Sequence, residues 1–236
     1  MYVVGDATTR TAGQHARAAV VRLRLRTLVT LGLLAVATAA LGRIFGLQDL
    51  RFLFAEIALL ASMFVISRYV LPLVDRRDRG ASAEEHVGGL LEQLDPQHWR
   101  VIHDASFGHG NVDHILIGPA GAFTIETKSH PGPVRVSRVH GATIRQVHAQ
   151  RDAIERVTRL KVEPLLVYSR AWVDRPLAKR KGVRVLPARM LLSHLHRHAK
   201  TLSHSDVEQA SSQLGAALRE QARAERMARS RRILPR

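Results

Sequence analysis

The segment Asn111–Lys128 constrains the fold more than any other part of this chain. It reads Asn-Val-Asp-His-Ile-Leu-Ile-Gly-Pro-Ala-Gly-Ala-Phe-Thr-Ile-Glu-Thr-Lys. Two apolar, β-branched runs flank Gly118-Pro119-Ala120-Gly121, the composition of a tight reversal. A β-hairpin with strands over 112–117 and 122–128 is therefore expected. With Gly118 opposite Gly121, Asp113 falls opposite Glu126, and such neighbours have Cβ atoms about 4.5–5.5 Å apart. Alternation puts Lys128 on the same face, two residues beyond Glu126. That face also carries Ile115, Ile117 and Thr124; the other carries His114, Leu116, Ile125 and Thr127. A strand pair apolar on both faces belongs inside a sheet covered on both sides.

Two carboxylates facing each other in such a sheet repel and lose solvation. They need a cation, a shared proton or water. A divalent metal is the natural compensation, and oxygen ligands suit Mg²⁺ or Mn²⁺. The plain alternative is an internal salt bridge in which Lys128 neutralises one carboxylate.

From Gly80 onward the pattern is that of an alternating α/β domain. Ala81–Leu94 is expected to be a helix, with Ser82 as N-cap and Glu85 three residues on, as in a capping box. Its apolar positions Val87, Leu90, Leu91 and Leu94 follow helical spacing. Strands are expected at 99–103, 134–139, 162–167 and 183–186, with a glycine-containing loop over 104–110. Helices are expected at 143–160, carrying Gln146 and Gln150, and at 188–198. A long basic helix should occupy 205–229.

The N-terminal third differs. Residues 1–26 are polar and basic. Residues 27–42 hold no charge, and a second apolar run, 52–74, is interrupted only by Glu56 and Arg68. A membrane-spanning helix needs about 20 mostly apolar residues. A two-helix transmembrane hairpin over 27–74 is the expectation, with a helical hairpin packed on the main domain as the alternative. Arginines crowd the two outer flanks, so the positive-inside rule puts both termini and the large domain in the cytoplasm. The first run starts late and lacks a good cleavage context, unlike a secretory signal.

The chain carries 36 Lys+Arg against 20 Asp+Glu, a formal net charge of +16. Both the first 79 residues and the remainder are basic. This favours polyanions, nucleic acid or anionic lipid, although a compositional bias toward Arg and Ala explains it equally well. There is no cysteine, which excludes disulfides, thiolate metal sites and a cysteine nucleophile. No phosphate-cradling glycine loop and no serine-nucleophile motif is present.

Taken together, Gly80 with Glu84-Glu85, then Asn111-Val-Asp113-His, then Gly121-Ala-Phe-Thr-Ile-Glu126-Thr-Lys128 and Gly132 resemble the nuclease-related domain (NERD) family of the PD-(D/E)XK superfamily. The resemblance covers about residues 80–170. It implies a restriction-endonuclease-like mixed sheet with flanking helices and a divalent metal, Mg²⁺ or Mn²⁺, held by Asp113 and Glu126. Lys128 would orient or activate the attacking water. Glu84 or Glu85 would extend the metal shell, and Gln146 or Gln150 would face the site from the following helix. The pattern departs at Val112, where the superfamily name has proline, at Ala83, where a second glycine is expected, and at His130-Pro131.

The expected organisation is a basic segment 1–26, a membrane hairpin 27–74, a nuclease-related domain 80–198 and a basic C-terminal helix and tail 199–236. The expected function is that of a membrane-anchored, metal-dependent nuclease acting on DNA or RNA. The competing expectation is a degenerate fold serving as a membrane-tethered binding module. Lys179-Arg180-Lys181 is a candidate nucleic-acid contact, though a solvated loop is its plainer reading. His194 and His198, four apart on a helix, are spaced to share a metal, with a solvated helix face as the plainer reading. His103, His109 and His114 fall around the proposed site.

Overall fold

The computed structural model describes residues 50–107 and 110–233, together with 21, 25–27, 29–34, 36–37 and 40. Residues 1–20 and 41–49 lie outside it, as do Gly108, His109 and 234–236. Most of the basic segment and parts of the first apolar run therefore fall outside the described residues. The chain forms two compact units, with the division at Ala81/Ser82.

In the first unit, α1 (Leu50–Val65) passes through a π turn (Ile66–Val70) into the start of α2 (Leu71–Leu91), whose residues from Ser82 onward belong to the second unit. The expected second span, 52–74, is thus divided, and α1 has 16 residues, short of the roughly 20 that a bilayer requires. Pro72 has no N–H to donate to the carbonyl four residues back, and the π turn lies in that preceding turn. Among the described residues no helix is long and apolar enough to cross a membrane. α2 begins ten residues before the expected helix start. Ser82 is therefore not an N-cap but sits mid-helix: the capping signal loses to a helix already under way.

In the second unit a six-stranded mixed sheet has the order β1-β2-β3-β5-β8-β7. Its strands are β1 (Arg100–Phe107), β2 (Gly110–Gly118), β3 (Gly121–Lys128), β5 (Val162–Tyr168), β7 (Lys179–Arg180) and β8 (Val183–Pro187). The β1–β2 and β2–β3 pairs are antiparallel; β3, β5 and β8 run parallel. The short strands β4 (Gly132–Val134) and β6 (Ala171–Val173) pair separately. The strand expected over 134–139 is confined to Val134, and a 3-10 turn takes 136–138. The helices are α3 (Gly141–Thr158), α4 (Leu191–His196) and α5 (His204–Ile233).

Side-chain alternation divides the core between the two faces of the sheet. Leu116, Phe123, Ile125, Leu165 and Val167 meet Val87 and Leu91 of α2 and Leu191 and Leu195 of α4. On the other face Ile115, Ile117 and Ala122 meet Ile154 of α3 and Val207, Ala210, Leu214 and Leu218 of α5. The first half of the C-terminal helix is thus core, with buried positions at helical spacing; a boundary at 198/199 does not separate it from the domain. Arg219, Arg223 and Arg226 beyond it are exposed.

The β2–β3 turn is closed by Gly118 opposite Gly121. Gly121 has φ +123, a conformation that L side chains rarely adopt. A Cβ at 118 would overlap the Trp99 ring, which is buried beneath it. Gly118→Ala is expected to cost about 1–3 kcal/mol by overpacking, read as a lower urea midpoint with an unchanged m-value. An unshifted midpoint would show that the ring yields freely.

Candidate metal centre

The register expected from the turn is the one observed. Pairing runs from Gly118 and Gly121 back to His114 and Ile125, and the ladder stops there, one step before Asp113 and Glu126. The strands part at this point. The Thr127 main-chain N–H donates to Asp113 Oδ2 at 2.6 Å, which holds that carboxyl against β3. Glu126 is 2 % exposed, yet both of its oxygens are contacted. Lys128 Nζ lies 2.5 Å from Oε1, Gln146 Nε2 donates to Oε1 at 3.0 Å, and Gln150 Nε2 donates to Oε2 at 2.6 Å. Gln146 and Gln150 stand one turn apart on α3, so one helix face delivers both amides. Gln150 Nε2 also reaches the Asn111 carbonyl at 2.9 Å, while its buried Oε1 has no partner.

A further carboxylate comes from β1. The β1–β2 register pairs His103 with His114 and Ala105 with Val112, so Asp104 takes the position opposite Asp113. Asp104 is buried, with φ 51, and Asn111 Nδ2 donates to its Oδ1. Asp104 and Glu126 both act on the Glu84 carboxyl. Sequence reasoning placed Asp104 in a loop and missed it. The signal was the β1–β2 register, which the sequence did not supply.

The electrostatics bind these groups together. Burial, then the charges of Glu126 and Glu84, push the Asp113 carboxyl well above the usual range, opposed by the Thr127 N–H and Lys128. Glu84, near the C-terminal half of α2, is raised to about 7, first by burial and then by Asp104 and Glu126. Of the two glutamates on that helix, Glu84 responds to Asp104 and Glu126. Burial works against the Lys128 charge, but Glu126 outweighs it and the ammonium is held more firmly than usual.

The salt-bridge alternative is thus partly realised, since Lys128 does pair with Glu126. One lysine does not balance Glu84, Asp113 and Glu126. The donors left over are carboxylate and amide oxygens, the set that Mg²⁺ and Mn²⁺ prefer. The chemistry of the donors present fits such an ion, with Glu84 within electrostatic reach of Asp113 and Glu126. Lys179, Arg180 and Lys181 are not brought here. They lie at the β7 edge, three strands from β3, where the Arg180 guanidinium donates to the Ser137 carbonyl.

The second unit is thus a mixed α/β sheet domain that gathers buried carboxylates, a lysine and two glutamine amides from the adjoining helix at one place. Residues 79–169 match the family model of the nuclease-related domain. Among solved structures, one similar chain is described as "crystal structure of a repair endonuclease from Pyrococcus abyssi". It is 15% identical, with 51% of this chain and 46% of that chain covered and a TM-score of 0.29. The present chain thus spans about half the length of that protein, and an overlap so shallow carries no weight here. No curated protein matches the chain.

Proposed function

We propose that this domain hydrolyses phosphodiester bonds of nucleic acid with a divalent metal, Mg²⁺ or Mn²⁺. The observation that carries the reading is the Asp113–Glu126 pair at the parting of two strands, with more carboxylates than Lys128 can neutralise. The nuclease-related match supports it. When bound, the metal would supply Lewis acidity toward the scissile phosphate and lower the pKa of a bound water. Asp113 and Glu126 would hold it. The Thr127 N–H fixes the orientation of Asp113, and Gln146 and Gln150 fix that of Glu126. Lys128 offers its ammonium to a phosphate oxygen once Glu126 is engaged elsewhere. Exposed arginines and Lys179-Arg180-Lys181 would hold the backbone without reading bases.

The test is cleavage of single- and double-stranded DNA and RNA by the full chain in Mn²⁺, in Mg²⁺ and in chelator. Metal-dependent turnover is expected on at least one substrate. A folded protein that binds nucleic acid without turnover would instead support the second reading, a non-catalytic binding module. That reading has its own observation, since Lys128 already occupies Glu126.

Attachment to a membrane through 27–74, with two passes and both termini cytoplasmic, is a separate proposal. It is supported by the flanking arginines and by exposed apolar side chains in the first unit, among them Val29, Leu33, Val36, Phe54, Leu59 and Phe64. Retention of the chain in membranes washed with alkaline carbonate is expected. Release into the wash would sink it.

A further inference from the structure

On the opposite face of the sheet, at the other end of the parallel strands, lies a second cluster of metal-ligating side chains. Glu163 is on β5, paired in register with Phe123. It is three residues back from Leu166, the partner of Glu126, and the odd spacing puts it on the other face. His194 is on α4 and His198 lies just past its end, i and i+4, so both rings reach the same side. Three ligand atoms converge: His194 Nε2 and His198 Nε2 are 3.2 Å apart, His198 Nε2 is 3.3 Å from Glu163 Oε2, and His194 Nε2 is 3.8 Å from the same oxygen. Among the described residues this is the group of His and carboxylate ligands whose atoms all lie within 4.8 Å of one another.

We propose that Glu163, His194 and His198 form a binding site for a divalent transition metal of the zinc type, separate from the carboxylate centre. The distances are those the chemistry asks for. A tetrahedral ion about 2.0–2.1 Å from imidazole nitrogen and carboxylate oxygen holds its ligands roughly 3.3–3.5 Å apart. Two imidazoles and a carboxylate suit zinc, whereas an oxygen-only set suits magnesium, so the two sites differ in preference.

Protons alone satisfy the cluster poorly. At 3.8 Å the contact between His194 and Glu163 is too long for a hydrogen bond. A proton on His198 Nε2 serves either His194 or Glu163, leaving the other unmet. The surroundings are arranged for a ligand set. Arg184 Nε donates to Glu163 Oε1 at 2.6 Å, which leaves Oε2 facing the imidazoles and fixes the carboxylate from behind. The Phe123 ring stands edge-on to His198, with centroids 5.4 Å apart. His194 is 7 % exposed and His198 30 %, so an ion reaches the cluster from the His198 side, where a fourth coordination position stays open to water. Bound there, the metal ties α4 to β5.

The test uses the full chain stripped of metal, then titrated with Co²⁺. One equivalent is expected to give the intense visible absorption of tetrahedral cobalt, displaced by one equivalent of Zn²⁺ but not by Mg²⁺. The signal is expected to vanish in His198→Ala, which alters a partly exposed side chain outside the helix. In Glu163→Gln the affinity should fall at least about tenfold. It should persist in Asp113→Asn, so failure here and failure of the nuclease reading are told apart. A folded wild type without tetrahedral absorption overturns the site. So does a signal that survives unchanged in both His198→Ala and Glu163→Gln, which would place the cobalt on other histidines.

Discussion

Replacing Asp113 with asparagine is expected to abolish metal-dependent cleavage while making the metal-free protein more stable. The two effects share one cause. The Asp113 carboxyl is withdrawn from water and faces the charges of Glu126 and Glu84, so its ionised form is held at a cost unless a cation is present. Asparagine has nearly the same shape, and its oxygen still accepts from the Thr127 N–H. It removes one unit of repulsion together with a metal ligand. The loss of turnover should exceed about a hundredfold, since even groups that only support a ligand are worth 10–100-fold. The stability gain has a definite pH sign. A carboxyl whose folded pKa is raised keeps its proton longer in the folded state, so its contribution is present in acid and is lost as pH rises. Glu84 acts in the same direction between its ordinary value of 4.5 and about 7. The gain from Asp113→Asn should therefore be small in acid and larger at neutral pH, and Mn²⁺ should stabilise the wild type but not the variant. Urea unfolding at several pH values, with and without Mn²⁺, measures this. Undiminished cleavage would remove Asp113 from the site, and a less stable variant would mean that its carboxylate is already compensated.

The core of that site was legible because one short turn sets a register. Gly118 and Gly121 close it, alternation does the rest, and Asp113, Glu126 and Lys128 follow with no knowledge of the remaining chain. Gln146 and Gln150 were legible as a pair four apart, but the choice between them was not; the helix sits so that both amides reach Glu126. Asp104 was hidden for a different reason. Its place opposite Asp113 depends on the β1–β2 connection, whose residues carry two glycines and do not announce a register. The cluster on the far face was half visible. The spacing of His194 and His198 showed that they share a side, but Glu163 lies some thirty residues away, and only the parallel pairing of β5 with β8 brings α4 over it. The start of α2 misled for a local reason: Ser82 and Glu85 fit a capping box, and nothing nearby stops the preceding helix from running through them.

His114 should make the protein lose stability as pH falls below about 6.5, more steeply than its exposed groups alone would give. Its ring is fully buried between β1 and β3, and Nδ1 faces Nδ1 of His103 at 2.8 Å. Only one of those two nitrogens can carry the shared proton, so the pair is built to be neutral. The other His114 nitrogen, Nε2, is buried with no partner, and a charge there would go unanswered. Burial, and secondarily a charge on His103, brings the His114 pKa down to about 3 from its ordinary 6.5. Between those values the unfolded chain binds a proton that the folded chain refuses. Stability is therefore full above the unfolded value and falls through this window as acid is added. Over the whole window the loss approaches about 5 kcal/mol, and by pH 5 it is about 2 kcal/mol, a large share of the 5–15 kcal/mol typical of a domain. The raised carboxyls of Glu84 and Asp113 act with the opposite sign, so the absolute profile mixes both. The difference between wild type and His114→Leu isolates the histidine. That difference should widen in favour of the leucine variant from pH 7 to pH 5, as read from urea midpoints. Parallel profiles would mean that His114 takes its proton inside the fold, and that the strands at this point part more easily than their packing implies.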